Sequence, residues 1–579
     1  MKEWRSGSQI LFGFLPEQTV DLKGRIWKVA EWVNARRESV DPTALRRELR
    51  RQAAPWAIAG KDGRFVENLH RGFDVEVLSL NTANGVRVEP FPNIWSCKKC
   101  GRIGRAPTST CKCGVRSWGQ LHFVAYHGCG AIREPWIRPC PDHKEVRVRF
   151  PGTASAGEIR FDCPVCSRVM SKGFGFPKCE CGSGPMQHNV HRAASVYTPR
   201  GIVLVNPPSP EKVQQLERAG GSSRALAWVI EGCETRWPDS ASHTRASFLE
   251  QLKLQGLSAA LAESLADQAE KSGELGSSGT DLSPLEGAQR EEAESEAVTI
   301  ALGLADSRAT VADLASATND WTELGILYRT EYPLALRRAG LHSVELVDKF
   351  PVMTGNFAYT RGDPATGASK LVPFRNPRGG YVVYADVSET ESLFVRLDPR
   401  KVADWLHQRG FALPAWDDAA SARMAILRAA HVPMPGENPP DRPTAGTAVL
   451  TLIHSYSHRL IRRSAVFAGI ERSSLAELLV PSHLGFFLYA AARGDFVLGG
   501  LQAVFESELD QLLTDHVAAD HRCPLDPGCS AAGAACMACL HLGEPSCRYF
   551  NSYLDRTVLF GPAGYLSPSP DSRPVRSTT

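Results

Sequence analysis

Ten of the chain's sixteen cysteines fall between Cys97 and Cys181, and they come in pairs at metal-ligand spacing. Cys97-x2-Cys100 is followed by Cys111-x-Cys113, and Cys163-x2-Cys166 by Cys179-x-Cys181. A Cys-x2-Cys turn places two thiolates on one side of a tight knuckle, and a second knuckle nearby completes a tetrahedron for Zn2+. The spacing therefore predicts two zinc ribbons, each made from neighbouring pairs. Between them lie His127, Cys129, Cys140 and His143, which could form a third group of two cysteines and two histidines or stand as spare thiols and surface histidines. A last cluster, Cys523, Cys529, Cys536, Cys539 and Cys547, has one thiol more than a tetrahedral site uses. Cys536, Cys539 and Cys547 with one of Cys529 or Cys523 are expected to hold a zinc, an iron-sulfur cluster being the alternative. The total expected is two to four Zn2+ per chain. Cys233 stands alone and reads as a small buried hydrophobe.

With 579 residues, 43% hydrophobic and 22% charged, the chain is that of a globular protein of several domains. No apolar run reaches about 18 residues and no signal core is visible, so a cytoplasmic protein is expected, where paired cysteines bind metals rather than each other. The net charge of +3 conceals an asymmetry. Residues 1–200 carry 32 Lys/Arg against 18 Asp/Glu, and the remainder 34 against 45. A basic cysteine-rich half points to an anionic partner, nucleic acid first. Residues 251–300, with three basic and ten acidic residues, are unlike a DNA-binding surface.

The expected fold class is α+β multidomain: zinc-ribbon insertions in the N-terminal half, a helical middle segment and a mixed α/β C-terminal domain. The segments are 1–90, mixed; 91–210, zinc ribbons; 211–335, helical and acidic; 336–565, α/β with the last cysteine cluster; and 566–579, a disordered tail. SQILFGF and FDVEVLSL read as strands. DPTALRRELRRQ reads as a helix capped by Asp41, whose Arg46, Arg47, Arg50 and Arg51 form a stripe that suits either solvent or phosphate. Leu252, Leu254, Leu257, Leu261 and Leu265 recur at helical spacing, and SGELGSSGTDLSP reads as a loop. YVVYADV and SLFVRLD read as two strands about a polar turn, and TAVLTLIHSYSHRLIRRSAVFAG as one long helix.

No catalytic constellation emerges. The P-loop-like run from Gly362 has Ala368 where the lysine belongs, so nothing reaches the β/γ phosphates. His454 and His458 share the spacing of a zincin helix, but Ser455 replaces the glutamate base, and a structural role is expected for the pair. Four-ligand cysteine sites are closed and structural, so the chain reads as a non-enzyme.

Several motifs together resemble a helicase-associated family of unknown function. In the C-terminal part these are LIHSYSHRLI (452–461), DFVLGGL (495–501) and GCSAAGAACMACLHLGEPSCRYFNSYLDR (528–556). Upstream they are SQILFGF, TVDL, PNIWSCKKCGRI, HFVAYHGCGAIREPWI, HRAASVYTP and NFAYTRG. With this set nearly the whole chain resembles the DrmB-type component of DISARM anti-phage defence. The resemblance implies a superfamily-two helicase partner (DrmA-type) that supplies the ATPase, with DNA bound through the complex and no membrane involved. Leu15-Pro16-Glu17 departs from the family's Gly-Pro-Gly turn. On this reading Lys98, Lys99, Arg102, Arg105 and Arg116 would contact phosphates, and Trp95 or Trp118 would stack on a base; alternatively the ribbons brace domains or bind the helicase. Other function classes that fit are a metal-dependent nuclease and a stand-alone zinc-ribbon DNA-binding regulator.

Overall fold

A computed structural model describes residues 7–81, 85–105, 110–152, 155–207, 209–235, 237, 248–249, 252–253, 256–271, 281–305, 307–433, 440–491, 498–518, 522–543, 547, 549, 551–561 and 563–567. Leu254, most of the SGELGSSGTDLSP loop, residues 495–497 of the DFVLGGL motif and the tail beyond 567 lie outside the described residues. The protein is mixed α/β and divides into two compact units, each assembled from two stretches of chain. The first is Met1–Leu204 with Met353–Val387, the second Val205–Val352 with Ser388–Thr579.

In the first unit, helix α1 (Pro42–Ile58) starts where Asp41 accepts the Ala44 amide at 2.7 Å and Pro42 fills the first turn. Its apolar face, Leu45, Leu49, Ala53 and Trp56, packs in one core with Phe65, Phe357 and Tyr381. The arginine stripe is occupied locally: Arg46 donates to the Phe73 carbonyl, Arg50 bonds His70, and Arg51 pairs with Glu48. The main sheet of this unit runs β2 (Thr198–Val205), the later part of β3 (Leu341–Thr360), the first part of β4 (Tyr381–Leu397) and β1 (Val75–Ser79), the last parallel to β4 with Tyr381 opposite Val75. SQILFGF is not a strand. Gly7–Gly13 is helical, and Leu11 within it and Leu15 just beyond its end are buried in one core.

Three further sheets of three short strands each fill the cysteine-rich stretch. They are Ile103–Gly104, Trp95–Cys97, Trp118–Gln120; Ile132–Arg133, Phe123–Tyr126, Gln187–Val190; and Arg147–Arg149, Arg160–Asp162, Val169–Lys172. Arg361 is wholly buried at the end of β3. It donates to the carbonyls of Gly130 (2.8 Å), Val196 (2.5 Å) and Glu17 (3.0 Å) and lies over the rings of Tyr197 and Tyr359.

In the second unit, helix α2 (Ala445–Phe467) is capped by a reciprocal Thr444–Thr447 pair and is buried on most of its circumference. It packs in the largest core of the chain with strands β5 (Leu475–Val480) and β6 (Gly485–Ala490), which pair antiparallel, and with the later part of β4 beside β6. Strand β6 is buried along its whole length: Phe487 stacks on Phe350 and Phe394 and lies against Gly303 of the helix Gly287–Leu304, where an added Cβ would sit 3.2 Å from the ring. Such cover on both faces explains the unbroken apolar run LGFFLYAA.

The expected polar turn between YVVYADV and SLFVRLD does not form, and β4 is continuous for 17 residues. Its polar residues are satisfied in place. Thr390 and Ser392 donate to the carbonyls of Ala490 and Leu488, and Glu391 accepts the amides of Leu501 and Gln502. Among the described residues no helix is long and apolar enough to cross a membrane.

Candidate metal clusters and an arginine-lined hollow

Among the described residues, sixteen Cys and His side chains gather into four groups, and a fifth group adds a glutamate. Within every group the ligand atoms lie within 4.8 Å of one another. The first is the expected Cys97, Cys100, Cys111 and Cys113. Its sulfurs are 3.5 Å apart across Cys97–Cys113 and Cys100–Cys111, far beyond a disulfide bond and near the edge of about 3.8 Å that four thiolates about 2.3 Å from one ion would make. Gly101 closes the first knuckle at φ +73°, where a Cβ would come within 2.4 Å of the Val148 carbonyl oxygen, so only glycine fits.

The expected second ribbon is not assembled. Cys179 and Cys181 meet His127 and Cys129, while Cys163 and Cys166 meet Cys140 and His143. One group is thus nested inside the other along the chain. The hairpin from Phe123 to Arg133 carries the His127–Cys129 knuckle, and the sheet around Cys163–Cys166 is built before the chain returns with Cys179 and Cys181. The Cys129–Cys179 sulfurs are 3.6 Å apart, and Cys181 Sγ is 3.4 Å from His127 Nδ1. In the inner group His143 Nδ1 is 3.5 Å from Cys140 and 3.6 Å from Cys163. A signal for this pairing exists in the sequence: both knuckles of the outer group have one intervening residue and both of the inner group have two. It is a weak signal, because the first group mixes the two lengths.

The C-terminal group also differs from expectation. Both Cys523 and Cys529 join Cys536 and Cys539, with sulfur separations of 3.5 to 3.7 Å, and Cys547 is elsewhere. Cys547 lies with His454, His458 and Glu477 in a fully enclosed group. Glu477 was invisible to motif reasoning; the signal it left is a lone carboxylate in the apolar strand LAELLV.

The thiols are electrostatically uneven. Burial raises the Cys100 thiol, but hydrogen bonds from the Arg102 amide and from neighbouring thiols outweigh it and bring it to about 6, while burial leaves Cys111 pushed up to about 12. At Cys140 the His143 amide and ring lower the thiol to about 6. Cys233 is an enclosed thiol outside every group, pushed up to about 11 by burial.

The residues expected to meet DNA are less uniform. Trp95 is buried, donates to Asn93 at 3.1 Å and is covered by Arg25, so it cannot stack on a base. Arg102 is held by Glu145 at 2.9 Å, and Trp118 is half-buried against Gly104. Lys98, Lys99, Arg105 and Arg116 are exposed or nearly so; Arg105 leans towards Glu134 at 3.5 Å and Arg116 donates to Thr110.

A stronger concentration of positive charge lies in the second unit, beside the Cys523–Cys539 group. Arg459, Arg462, Arg463, Arg472, Arg522 and Arg556 line a hollow of about 270 Å3 together with Pro524, Ala538, Cys539 and Leu540. Arg462 is anchored by the Ala538, Met537 and His541 carbonyls, Arg556 by Asp526 and Arg463 by Asp515 at 3.3 Å. Burial and the neighbouring Arg463 bring the Arg459 guanidinium down to about 10.

Residues 6–201 match the model of a family described as a domain of unknown function (DUF8724). Over 182 residues the chain is 25% identical to the DISARM protein DrmB of Bacillus paralicheniformis. That match takes in 29% of this chain and 31% of the relative's length.

Proposed function

We propose that this chain is a non-catalytic, zinc-pinned subunit of a bacterial anti-phage defence complex, working in the cytoplasm with a superfamily-two helicase of the DrmA type and helping to bind foreign DNA. The likeness to a DISARM DrmB supports the setting. Four cysteine-rich groups with sulfur and nitrogen separations suited to tetrahedral zinc support the metal. Two of these groups are made of four cysteines and two of three cysteines with one histidine. In each the protein supplies all four donors, which leaves no open position for a substrate and fits bracing rather than catalysis.

The nucleic-acid part is carried by the arginine-lined hollow. Six guanidinium groups converge on it with no acidic side chain among its described lining residues, and guanidinium forks match phosphate oxygens in pairs. Arg462 and Arg556 are tied to the walls and Arg463 carries one half-exposed ion pair to Asp515, so Arg472 and, in exchange for Asp515, Arg463 are the side chains assigned to the phosphate. The exposed Lys98, Lys99, Arg105 and Arg116 supply a second, weaker contact.

The test is binding of a labelled DNA strand to the full chain, alone and with its helicase, across a salt series. Arg463→Glu with Arg472→Glu should weaken binding by about 10- to 100-fold and flatten the salt slope by about two phosphates. An unchanged slope would remove DNA from the hollow and favour a protein partner there.

A further inference from the structure

The enclosed group of His454, His458, Glu477 and Cys547 lies apart from the four cysteine-rich groups and answers to neither the DNA nor the zinc-ribbon reading. Three separate elements supply it. Helix α2 gives both histidines from one face at i and i+4, strand β5 gives Glu477, and the segment after the last cysteine cluster gives Cys547. All four are buried, the first three at 0% exposure and Cys547 at 3%. Charged or ionisable side chains are scarcely ever packed this deeply unless paired or bound to a metal.

The geometry decides between the two. His454 Nε2 is 3.1 Å from Glu477 Oε1 and 3.3 Å from Cys547 Sγ, and His458 Nε2 is 3.3 Å from the same Glu477 oxygen. Direct charge-assisted hydrogen bonds draw such atoms to about 2.7–2.9 Å. Donors about 2.0–2.1 Å from a common tetrahedral ion stand about 3.3 Å apart. His458 Nδ1 lies 2.9 Å from the Leu540 carbonyl, which can only accept, so Nδ1 carries a proton, and a neutral ring then turns its Nε2 lone pair to a carboxylate oxygen. With the ring neutral, two acceptors face each other in a dry core, an arrangement that a bound cation satisfies.

The surroundings orient the group as metal ligands are oriented. Ser457 donates to the second Glu477 oxygen, and the Asn551 amide donates to Cys547 Sγ at 3.3 Å. His454 Nδ1 has no partner among the described residues. A thiolate, a carboxylate and two neutral imidazoles carry two negative charges, which one divalent ion cancels. With the thiolate and the carboxylate both charged, protons alone would need both imidazoles charged with ring centroids 4.3 Å apart.

We propose that His454, His458, Glu477 and Cys547 form a fifth metal site, for one tetrahedral divalent ion of the zinc class, which fastens the segment around Cys547 to α2 and β5. The mixed donor set of two nitrogens, one oxygen and one sulfur suits Zn2+, and all four positions are filled by protein, which makes it structural.

The experiment uses crystals of the full chain grown from zinc-supplemented cells. Anomalous difference density at the zinc edge should show a peak within about 2.0–2.3 Å of the four ligand atoms. Absence of that peak overturns the proposal whether or not the cysteine-rich groups show theirs, so the two readings fail separately. In solution Cys547→Ser and His458→Gln should each lower zinc by one equivalent per chain; unchanged zinc in both soluble variants would also overturn it. The map on unaltered protein stands if either variant does not fold.

Discussion

The two units of this protein place similar ligand sets in opposite settings. In the first, the metal-type residues sit in hairpin knuckles over slender cores: seven buried residues from Ile94 to Phe174 serve two groups, and Ala125, Cys179 and Met186 underlie the third. In the second, His454, His458, Glu477 and Cys547 are enclosed by the largest core in the chain. Short strands with so little apolar burial cannot offset their own ordering entropy, and a metal bound at these groups would close the difference. The second unit has ample burial to fold and uses its enclosed ligands to fix one segment.

Metal removal should separate the two most sharply. A strong chelator under reducing conditions withdraws binding free energy on the order of 10 kcal/mol per site from small metal modules. Hydrogen exchange should then show loss of protection across Trp95–Gln120 and Phe123–Val190, while β6 keeps its own. Equal loss in β6 would break the comparison.

A smaller effect is expected at Arg361. Its guanidinium is wholly buried and bonded to three carbonyls, one of them Gly130 in the His127–Cys129 knuckle. Arg361→Ala would leave those acceptors buried without donors and should cost about 3–5 kcal/mol, read as a lower urea midpoint for the first unit. A change under about 1 kcal/mol would mean that the knuckle needs no such anchor.

Acid should act on the second unit through His483. This residue is fully enclosed, and its Nε2 lies 2.8 Å from the Ala293 carbonyl, to which the ring N–H donates. Burial brings it down to about 4 from 6.5. Because the folded value is depressed, its contribution is complete above pH 6.5 and is lost as the pH falls towards 4, amounting to about 3 kcal/mol. His483→Gln keeps an N–H donor and cannot titrate, so its stability profile between pH 6.5 and 4 should be flatter. An unchanged profile would assign the acid sensitivity to other groups such as the half-buried His342 and the enclosed His516, which burial also lowers.

Local features of this chain were legible in its sequence. Asp41 capping α1, the apolar run of β6 and the long helix α2 follow from residue types that act over one or two turns. The gathering of Cys97, Cys100, Cys111 and Cys113 was legible for the same reason, since both knuckles are adjacent. The partners of Cys163 and Cys179 were not, because nesting one group within another is a matter of strand pairing between distant residues. Cys547 finds His454 across 93 residues for the same reason. The polar run Ser388-Glu-Thr-Glu-Ser392 read as a turn because its partners, the Ala490 and Leu488 carbonyls and the Leu501 and Gln502 amides, come from far along the chain.

Zinc per chain in two double variants tests the nested arrangement most directly. Cys129→Ser with Cys179→Ser removes two ligands from one group and should cost one equivalent, whereas Cys163→Ser with Cys179→Ser strikes two groups and should cost two. A loss of only one equivalent in the Cys163–Cys179 pair would place those cysteines around the same ion and contradict the account.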